Sequence, residues 1–267
     1  SGFPLIAFRI SGQTPLNNQA AHNRYVISPD SSNIPSAPPT ASIVMPCYNA
    51  APYVEDSVRA ILAQTLTDFE LIIVEDSSSD NSAEVLQYLV KLDPRIRLII
   101  HDRNRGASRS RNDGLHAARG EYIGFCDADD LWKPDKLQRQ VALLQENPSY
   151  DLTYCNSEII DSKGNLTGAL FSDQFAPPTS PSGNLFEELC ATNFVNMQTV
   201  LLRRSIGEGI YFDEGIKWVE DWWQWIRLSR KHRFLYEETA MAQYRVHAQS
   251  TGLTQKPGIQ RNRWKVC

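Results

Sequence analysis

Three carboxylates stand within four residues of one another, at Asp127, Asp129 and Asp130, directly after the apolar stretch 122–126. Charges of one sign this close repel, and each raises the pKa of its neighbours unless a cation neutralises them. Oxygen ligands suit Mg²⁺ or Mn²⁺, ions that usually share their coordination shell with substrate phosphates. The pattern therefore predicts a divalent-cation site, although an acidic loop that is merely solvated would have the same composition.

Polar side chains also follow two other apolar stretches of strand length, 42–45 and 71–74. Because the carboxyl ends of parallel strands meet at one edge of an open sheet, ligands bind there. Glu75 and Asp76 are able to accept hydrogen bonds from a base or a ribose, and the ring of Tyr48 is able to stack on a base. The alternatives are a capped turn for the two acids and core packing for the tyrosine.

Two arginines, Arg109 and Arg111, lie in a segment of helical pattern near the same edge. A guanidinium forms paired hydrogen bonds with phosphate oxygens, so either side chain is a candidate for phosphate binding. A solvated basic helix face is the competing interpretation. Both interpretations depend on where the helix lies against the sheet.

The elements that must position these residues alternate regularly along the chain. Apolar runs of strand length are separated by segments with apolar residues at helical spacing, such as Val54, Val58 and Ile61. This order predicts an α/β fold, a Rossmann-like, mostly parallel sheet flanked by helices on both faces. We expect an extension or linker over residues 1–40, which end in a Pro/Ser-rich run, and one folded domain over 41–267.

Composition limits the possible partners and the compartment. The formal net charge of -4 gives no support for nucleic-acid binding, and no apolar run approaches the ~20 residues of a membrane-spanning helix. Five widely spaced cysteines with no C-x-x-C pair argue against a disulfide framework or a structural zinc site. We expect a cytoplasmic protein, with at most peripheral contact at the inner face of a membrane, to which the basic tail 256–265 would contribute.

Several segments, in this order and spacing, make the chain resemble the large family-two glycosyltransferases with the A-type nucleotide-sugar-binding fold. The resemblance covers roughly residues 41–252 and departs from the family at Glu75 and Ser77, where Asp and Gly are more frequent. It implies a donor half at about 41–130 and an acceptor half at about 131–250 within a catalytic domain. The matching segments are 42–49, 72–82, 104–112, 120–130, 220–221 and 244–250.

The resemblance implies an inverting glycosyltransferase that uses Mn²⁺ or Mg²⁺. Its donor would be a nucleotide diphosphate sugar, UDP by default, and its acceptor a hydroxyl of a saccharide or of a lipid-linked molecule. A carboxylate would deprotonate that hydroxyl as it attacks the anomeric carbon. The implied nucleotide and donor contacts are Pro46, Tyr48, Asn49, Glu75, Asp76, Arg111, Asp127 and Ala128; the metal ligands are Asp129 and His247; the general base is Asp221, with Glu220 as the alternative.

The implied base lies in an aromatic stretch, residues 218–225. Aromatic faces stack on sugar rings, so Trp222 or Trp223 is a candidate for holding the acceptor, with core packing as the alternative. His247 likewise has a structural alternative to metal binding. Two other functions remain open: a nucleotidyltransferase, although the stretch 46–52 lacks the glycine and lysine expected of a triphosphate loop, and a non-catalytic nucleotide-sugar-binding module.

Overall fold

The continuous apolar runs of the sequence are the central strands of the sheet. The structure, a computed structural model, describes residues 24–27, 37–248 and 250, with side chains only from residue 37 onward and not at position 208. The elements of the first half are β1 (Arg24–Ile27), β2 (Ala41–Cys47), α1 (Val54–Leu62), β3 (Phe69–Glu75), α2 (Ser82–Val90), β4 (Ile96–His101), α3 (Ala107–Ala117) and β5 (Tyr122–Phe125).

The second half has shorter strands and more loop. Its elements are β6 (Leu131–Trp132), α4 (Lys136–Glu146), β7 (Leu152–Ile160), β8 (Leu166–Leu170), α5 (Phe186–Ala191), β9 (Leu201–Arg203), α6 (Glu220–Ser229) and β10 (Phe234–Arg245). Over the described residues, ten strands form one sheet in the order β1-β4-β3-β2-β5-β9-β7-β10-β6, with β8 paired to β7. Strands β2, β3, β4 and β5 are parallel to one another. Strand β9 pairs antiparallel with β5 on one side and antiparallel with β7 on the other, and so connects the two parts of the sheet.

Alternate residues of β2 pack on opposite faces of the sheet, as its period of two requires. Ile43 and Met45 pack with α1, α2 and α4, whereas Val44 packs with α5 and α6 on the other face. The helix α3 covers the second face at Ile72 and Val74. The prediction of a mostly parallel sheet with helices on both faces is confirmed.

Helix α3 and the turn that follows it approach the sheet so closely that Gly114 and Gly120 have no room for a side chain. A Cβ on Gly114 would lie 2.4 Å from a methyl of Val44, and one on Gly120 would lie 2.5 Å from the backbone of Ala41. Atoms that close overlap, so a larger residue would push α3 away from β2. The N-terminus of α3 is thereby held at the carboxyl edge of the sheet.

Two predicted strands differ from the structure. The strand-like pattern at 198–202 predicts an extended stretch, but its first part is a 3-10 turn over Met197–Thr199 because the Thr199 hydroxyl donates to the Asn196 carbonyl at 2.6 Å. The strand-like patterns at 234–236 and 241–246 predict two strands. They form one strand, β10, because β7 pairs with both, and the extra residues of β10 between Glu237 and Ala242 form an irregularity in that pairing.

The predicted extension 1–40 contains a strand that the sequence pattern did not indicate. Strand β1 pairs antiparallel with β4 at the edge of the sheet. The boundary at residue 41 stays a prediction, and the tail 256–265 and Cys267 lie outside the described residues. Cys47, Cys126 and Cys155 are buried free thiols. In the portion the structure describes, every helix is too short or too polar to cross a bilayer.

Candidate functional site

A cavity of about 1350 Å³ opens at the carboxyl ends of β2, β3 and β5 and extends to the start of α6. It brings together residues that the sequence separates by up to two hundred positions. Four of the candidate residues from the sequence do not line it: Glu75, Arg109, Asp130 and Trp223. Those that line it are Pro46, Tyr48, Asn49, Asp76, Arg111, Asp127, Ala128, Asp129, Glu220, Asp221, Trp222 and His247.

The loop after β2 presents an aromatic ring to this cavity. Tyr48 is 51% exposed, so it is not the core residue that the alternative interpretation required. Asn49 has a φ of 50° and accepts a hydrogen bond from the backbone N–H of Ser79 at 2.8 Å. Its own N–H donates to the hydroxyl of Ser78. Asn49 therefore fastens the loop after β2 to the turn after β3.

Glu75 makes the capping contacts of a turn. It is buried, and its carboxylate accepts hydrogen bonds from the backbone N–H groups of Ser77 at 3.1 Å and Ser78 at 2.6 Å. Ser77 has a φ of 60°, the left-handed region that favours glycine. The two positions at which the chain departs from the family, 75 and 77, therefore lie in one turn. The side chain of Glu75, which is longer than that of Asp, holds the backbone of this turn.

Asp76 lines the cavity and is held by three donors. Its carboxylate contacts Nδ1 of His101 at 2.6 Å and accepts from the backbone N–H groups of Arg105 and Gly106, both at 2.8 Å. The other ring nitrogen of His101 contacts Asp113 at 3.0 Å. Burial alone would lower the pKa of His101, but the hydrogen bonds to Asp113 and Asp76 outweigh it and raise that pKa.

Arg111 joins the two halves of the molecule at the centre of the cavity. Its guanidinium donates to Asp127 at 2.8 Å and to Glu220 at 2.9 Å, and it lies over the ring of Phe212. It is buried, and the two carboxylates raise the pKa of the guanidinium in spite of that burial. Arg111 is thus an ion-pair bridge rather than part of a solvated basic face.

Glu220 and Asp221 occupy the first turn of α6, where the helix dipole favours negative charge. Burial and the neighbouring charge of Glu220 raise the pKa of Asp221 to about 7. Its carboxylate accepts from the backbone N–H of Trp222 at 2.7 Å and lies 3.5 Å from the amide of Asn193. A carboxyl group whose pKa is near neutrality is suited to take a proton from an alcohol.

The acidic loop after β5 is held by the end of β10. The backbone N–H of Arg245 donates to Asp130 at 2.8 Å, and its guanidinium donates to the carbonyl of Asp129 at 2.7 Å. The carboxylate of Asp129 lies 2.9 Å from Nε2 of His247, whose ring packs on Tyr53 with centroids 4.7 Å apart. Sequence reasoning assigned no role to Arg245, although it stands in the quoted segment 244–250.

The pair Asp129 and His247 fits a divalent cation that takes its other ligands from elsewhere. One carboxylate oxygen and one imidazole nitrogen converge on the cavity, and His247 is mostly buried there. In residues 37–248 and 250, no group of three or more His, Cys, Asp or Glu side chains is arranged to hold an ion. A Mg²⁺ or Mn²⁺ site with two protein ligands is completed by substrate phosphates and water.

The tryptophans of the stretch 218–225 divide into core and cavity residues. Trp222 is 4% exposed and donates from its indole to the carbonyl of Leu189, and Trp223 packs on the core away from the cavity. Trp218 lines the cavity, is 48% exposed and has a φ of 69°. Sequence reasoning missed Trp218 because the stretch carries no signal that α6 begins only at Glu220.

The remaining cavity wall comes from loops of the second half. Phe171 and Phe175 have ring centroids 4.9 Å apart and face the same cavity as Trp218. Asn193 and Lys217 line it as well. These residues have no common spacing and follow no central strand, so no sequence pattern singled them out.

Comparisons with known proteins agree with this arrangement. The family model described as Glycosyl transferase family 2 matches residues 42–206. The curated protein named "Putative teichuronic acid biosynthesis glycosyltransferase TuaG", from Bacillus subtilis (strain 168), is 30% identical over 230 residues, which are 86% of this chain and 84% of TuaG. The match thus spans most of both chains.

Two solved structures share the fold at low identity. S. aureus TarS 1-349, in complex with UDP-GlcNAc, gives a TM-score of 0.64 at 20% identity over 81% of this chain and 61% of that one. The mannosyltransferase PcManGT from Pyrobaculum calidifontis, in complex with GDP-Man and Mn2+, gives 0.60 at 18% identity over 81% and 59%. The chain spans less than two thirds of either. The predicted A-type fold is confirmed, and the chain is a glycosyltransferase that belongs to glycosyl transferase family 2.

Proposed function

We propose that this chain moves a sugar from a nucleoside diphosphate sugar, UDP-linked by default, to a hydroxyl of a saccharide or lipid-linked acceptor, with inversion. The observation that carries the proposal is the single cavity in which Asp129 and Asp221 belong to opposite halves of the molecule. Arg111 lies between them and pairs with a carboxylate from each half. The UDP-GlcNAc and GDP-Man bound by the structural neighbours support a nucleotide sugar as donor.

The donor half supplies the nucleotide contacts in this proposal. The exposed ring of Tyr48 stacks on the base, and Pro46 lines the base pocket beside it. Asp76 accepts from the base or the ribose, while Glu75 acts through the turn that it caps. Asn49 keeps the loop after β2 in place.

The centre of the cavity holds the donor sugar and the diphosphate. Asp127 and Ala128 contact the ribose or the sugar, and Arg111 keeps Asp127 in position. Asp129 and His247 are the proposed ligands of Mn²⁺ or Mg²⁺. When bound, a divalent ion neutralises the negative charge that develops on the departing diphosphate.

Asp221 is the proposed general base. Its pKa of about 7 leaves a large fraction ionised at neutral pH, so it is able to take the proton of the attacking hydroxyl. Glu220 is the alternative base, but its carboxylate is already paired with Arg111. A single base and one in-line displacement at the anomeric carbon invert its configuration.

The acceptor is proposed to bind between Trp218 and the pair Phe171 and Phe175. Sugar rings present C–H faces that pack on aromatic rings, and these rings line the same cavity as Asp221. Trp222 then supports the wall from the core instead of touching the sugar, and Trp223 packs behind it. A lipid-linked acceptor would require contact with a membrane surface, which we propose to be peripheral and cytoplasmic.

Thermal stability measured against a panel of nucleoside diphosphates, with Mn²⁺, Mg²⁺ or EDTA, tests the donor site. A ligand that binds only the folded protein raises Tm by mass action. We expect one nucleotide to raise Tm in the presence of metal, and Asp129→Ala to abolish the metal-dependent part of the rise. Hydrolysis of the matching nucleotide sugar then separates an enzyme from a binding module.

Three outcomes of the binding and activity measurements would contradict the proposal. No Tm shift with any nucleotide in either metal would overturn the donor site. Release of pyrophosphate from a nucleoside triphosphate and a sugar phosphate would identify a nucleotidyltransferase instead. Binding of a nucleotide sugar with neither hydrolysis nor transfer to any saccharide would leave only a binding module.

A further inference from the structure

We infer that His101 is a positioning residue of the donor pocket, which as a doubly protonated imidazolium holds Asp76 and, through Asp76, the loop 104–106 that forms the cavity wall. No sequence pattern indicates a role for this histidine, and the proposed mechanism does not use it. The inference rests on the proposed function only in taking a nucleotide as the ligand of this cavity. The charge state of His101 is a property of the protein alone.

The two contacts of the imidazole ring define its charge. His101 is the last residue of β4 and has no exposed side-chain surface. Nδ1 lies 2.6 Å from Asp76 and Nε2 lies 3.0 Å from Asp113. A neutral imidazole has one N–H, and an ionised carboxylate only accepts, so one of these contacts would then set two lone pairs against each other. Protonation of both nitrogens satisfies both contacts.

The surrounding charges favour that state. Asp76 faces the ring from the end of β3, and Asp113 faces it from α3. Arg109, also on α3, donates to Asp113 at 3.1 Å. The guanidinium of Arg105 in the intervening loop is paired with Asp102 at 2.7 Å. Two carboxylates therefore meet one arginine and the imidazolium, which balances the charge of the cluster.

The consequence for the cavity passes through Asp76. Besides His101, its carboxylate accepts from the backbone of Arg105 and Gly106. Gly106 has a φ of 89° and precedes the first residue of α3, and the loop 104–106 and the first turn of that helix line the cavity. Loss of the imidazolium would take the neighbouring positive charge from both carboxylates and the hydrogen-bond donor from one of them, Asp76 or Asp113, and the loop would loosen.

The same arrangement keeps Asp76 an acceptor. An ionised carboxylate beside a cation has no proton to donate, so its face toward the cavity accepts only. A base that turns an N–H toward it, as uracil and guanine do, forms a hydrogen bond there. A base that turns a lone pair toward it is repelled. His101 in this way determines both the position of Asp76 and its role as a hydrogen-bond acceptor.

Nitrogen NMR of the ring gives the direct test, without any ligand. Protein labelled with ¹⁵N-histidine reports whether each ring nitrogen carries a proton, and the signals of His101 are those that disappear in His101→Gln. We expect both nitrogens to be protonated at pH 7.5. A single neutral tautomer at that pH would overturn the inference, whatever the protein binds.

Nucleotide binding gives the functional test. The dissociation constant of UDP is measured by calorimetry from pH 7 to 9.5 in the wild type, in His101→Gln and in His116→Gln, an exposed histidine on α3 as control. A raised pKa means that the contribution is complete at low pH and is lost as pH rises through the folded-state value. We expect UDP to bind wild type and control about tenfold more weakly at high pH.

His101→Gln should bind UDP about tenfold more weakly already at pH 7, with a flat pH profile, because glutamine is uncharged. An unchanged affinity and slope in this variant would contradict the inference. If His101→Gln fails to fold, single glutamine variants of the other four histidines assign the His101 ring signals by exclusion, and the ring NMR and the pH profile of the wild type decide. If UDP and the other nucleotides fail to bind the wild type, the proposed function fails, and the NMR result still stands by itself.

Discussion

The proposed donor half and the proposed acceptor half contribute residues to one cavity in different ways. In the donor half, Tyr48, Asp76 and Asp127 each follow a parallel strand within two residues. In the acceptor half, apart from Tyr244 of β10, the cavity residues come from 3-10 turns, from loops and from the first turn of α6, such as Phe171 and Trp218. A strand end fixes the place of the next side chain, whereas a loop is placed by the residues it packs against.

The difference does not make the halves independent. Arg111 of the donor half pairs with Glu220, and Arg245 of the acceptor half pairs with the acidic loop at Asp129. Each of these contacts spans more than a hundred residues of sequence. The donor residues are thus placed locally by strands and then held by the other half.

The largest expected effect separates chemistry from donor binding. Asp221→Asn removes the proposed base without changing the side-chain volume, and we expect transfer to fall by about 10²- to 10⁴-fold. The affinity for the nucleotide, measured by calorimetry, should stay unchanged because Asp221 belongs to the acceptor half. Glu220→Gln is the matched variant at the neighbouring position. A larger loss of kcat in Glu220→Gln than in Asp221→Asn would move the base to Glu220.

The next effect concerns the bridge between the halves. Arg111→Gln leaves the partly buried carboxylates of Asp127 and Glu220 without their cation, so we expect the free energy of unfolding to fall by about 1 to 3 kcal/mol. Urea denaturation measures it. Arg59→Gln removes an exposed ion pair with Glu55 and should change stability by less than about 1 kcal/mol. Equal effects in both variants would mean that the halves do not depend on this bridge.

A smaller effect should be confined to the acceptor. Trp218→Ala removes an exposed ring from the cavity, and we expect the KM for a saccharide acceptor to rise about tenfold while nucleotide affinity holds. Tyr211→Ala is the control, because Tyr211 is 43% exposed but does not line the cavity. Steady-state kinetics in which donor and acceptor concentrations are both varied separates an effect on the acceptor KM from an effect on donor binding. A weaker nucleotide affinity in Trp218→Ala would assign this ring to the donor side.

The pH dependence of kcat tests the ionisation state of the proposed base. The proposed base works when ionised, and the pKa of Asp221 is about 7. We therefore expect kcat to rise about tenfold between pH 6 and pH 8 and to level off above it. The residual rate of Asp221→Asn should be flat over the same range. A profile that falls as pH rises would contradict a carboxylate base.

The sequence predicted the donor half better than the acceptor half for a physical reason. Buried parallel strands are apolar runs, and their ends mark the ligand edge, so Asp129 was found from the residues before it. Trp218 and Trp222 belong to one aromatic stretch, and only the start of α6 decides which ring faces the cavity. The partners of His101 lie 25 residues before it and 12 after it, so no local pattern shows them.

Some differences inside the donor half have the same origin. Arg111 was expected to approach phosphate because its helix lies near the ligand edge, but its two carboxylate partners were not visible as neighbours in the sequence. Glu75 was expected to meet the base or the ribose, and its length instead lets it reach back to the turn at Ser77 and Ser78. For both Arg111 and Glu75, the sequence predicted a place near the ligand edge of the sheet but not the side-chain contacts that the residue makes there.

The strand at residues 24–27 protects the sheet from other chains. A long apolar edge strand offers a row of unpaired N–H and C=O groups on which a second chain can pair, and β4, with Leu98 and Ile99, is such a strand. In the described part of the molecule, one end of the sheet is closed by the four residues of β1 and the other by the two residues of β6. Short terminal strands leave little template for edge-to-edge aggregation. Removal of the first 36 residues would expose the backbone N–H and C=O groups along the outer edge of β4, and we expect the protein to aggregate more readily at high concentration.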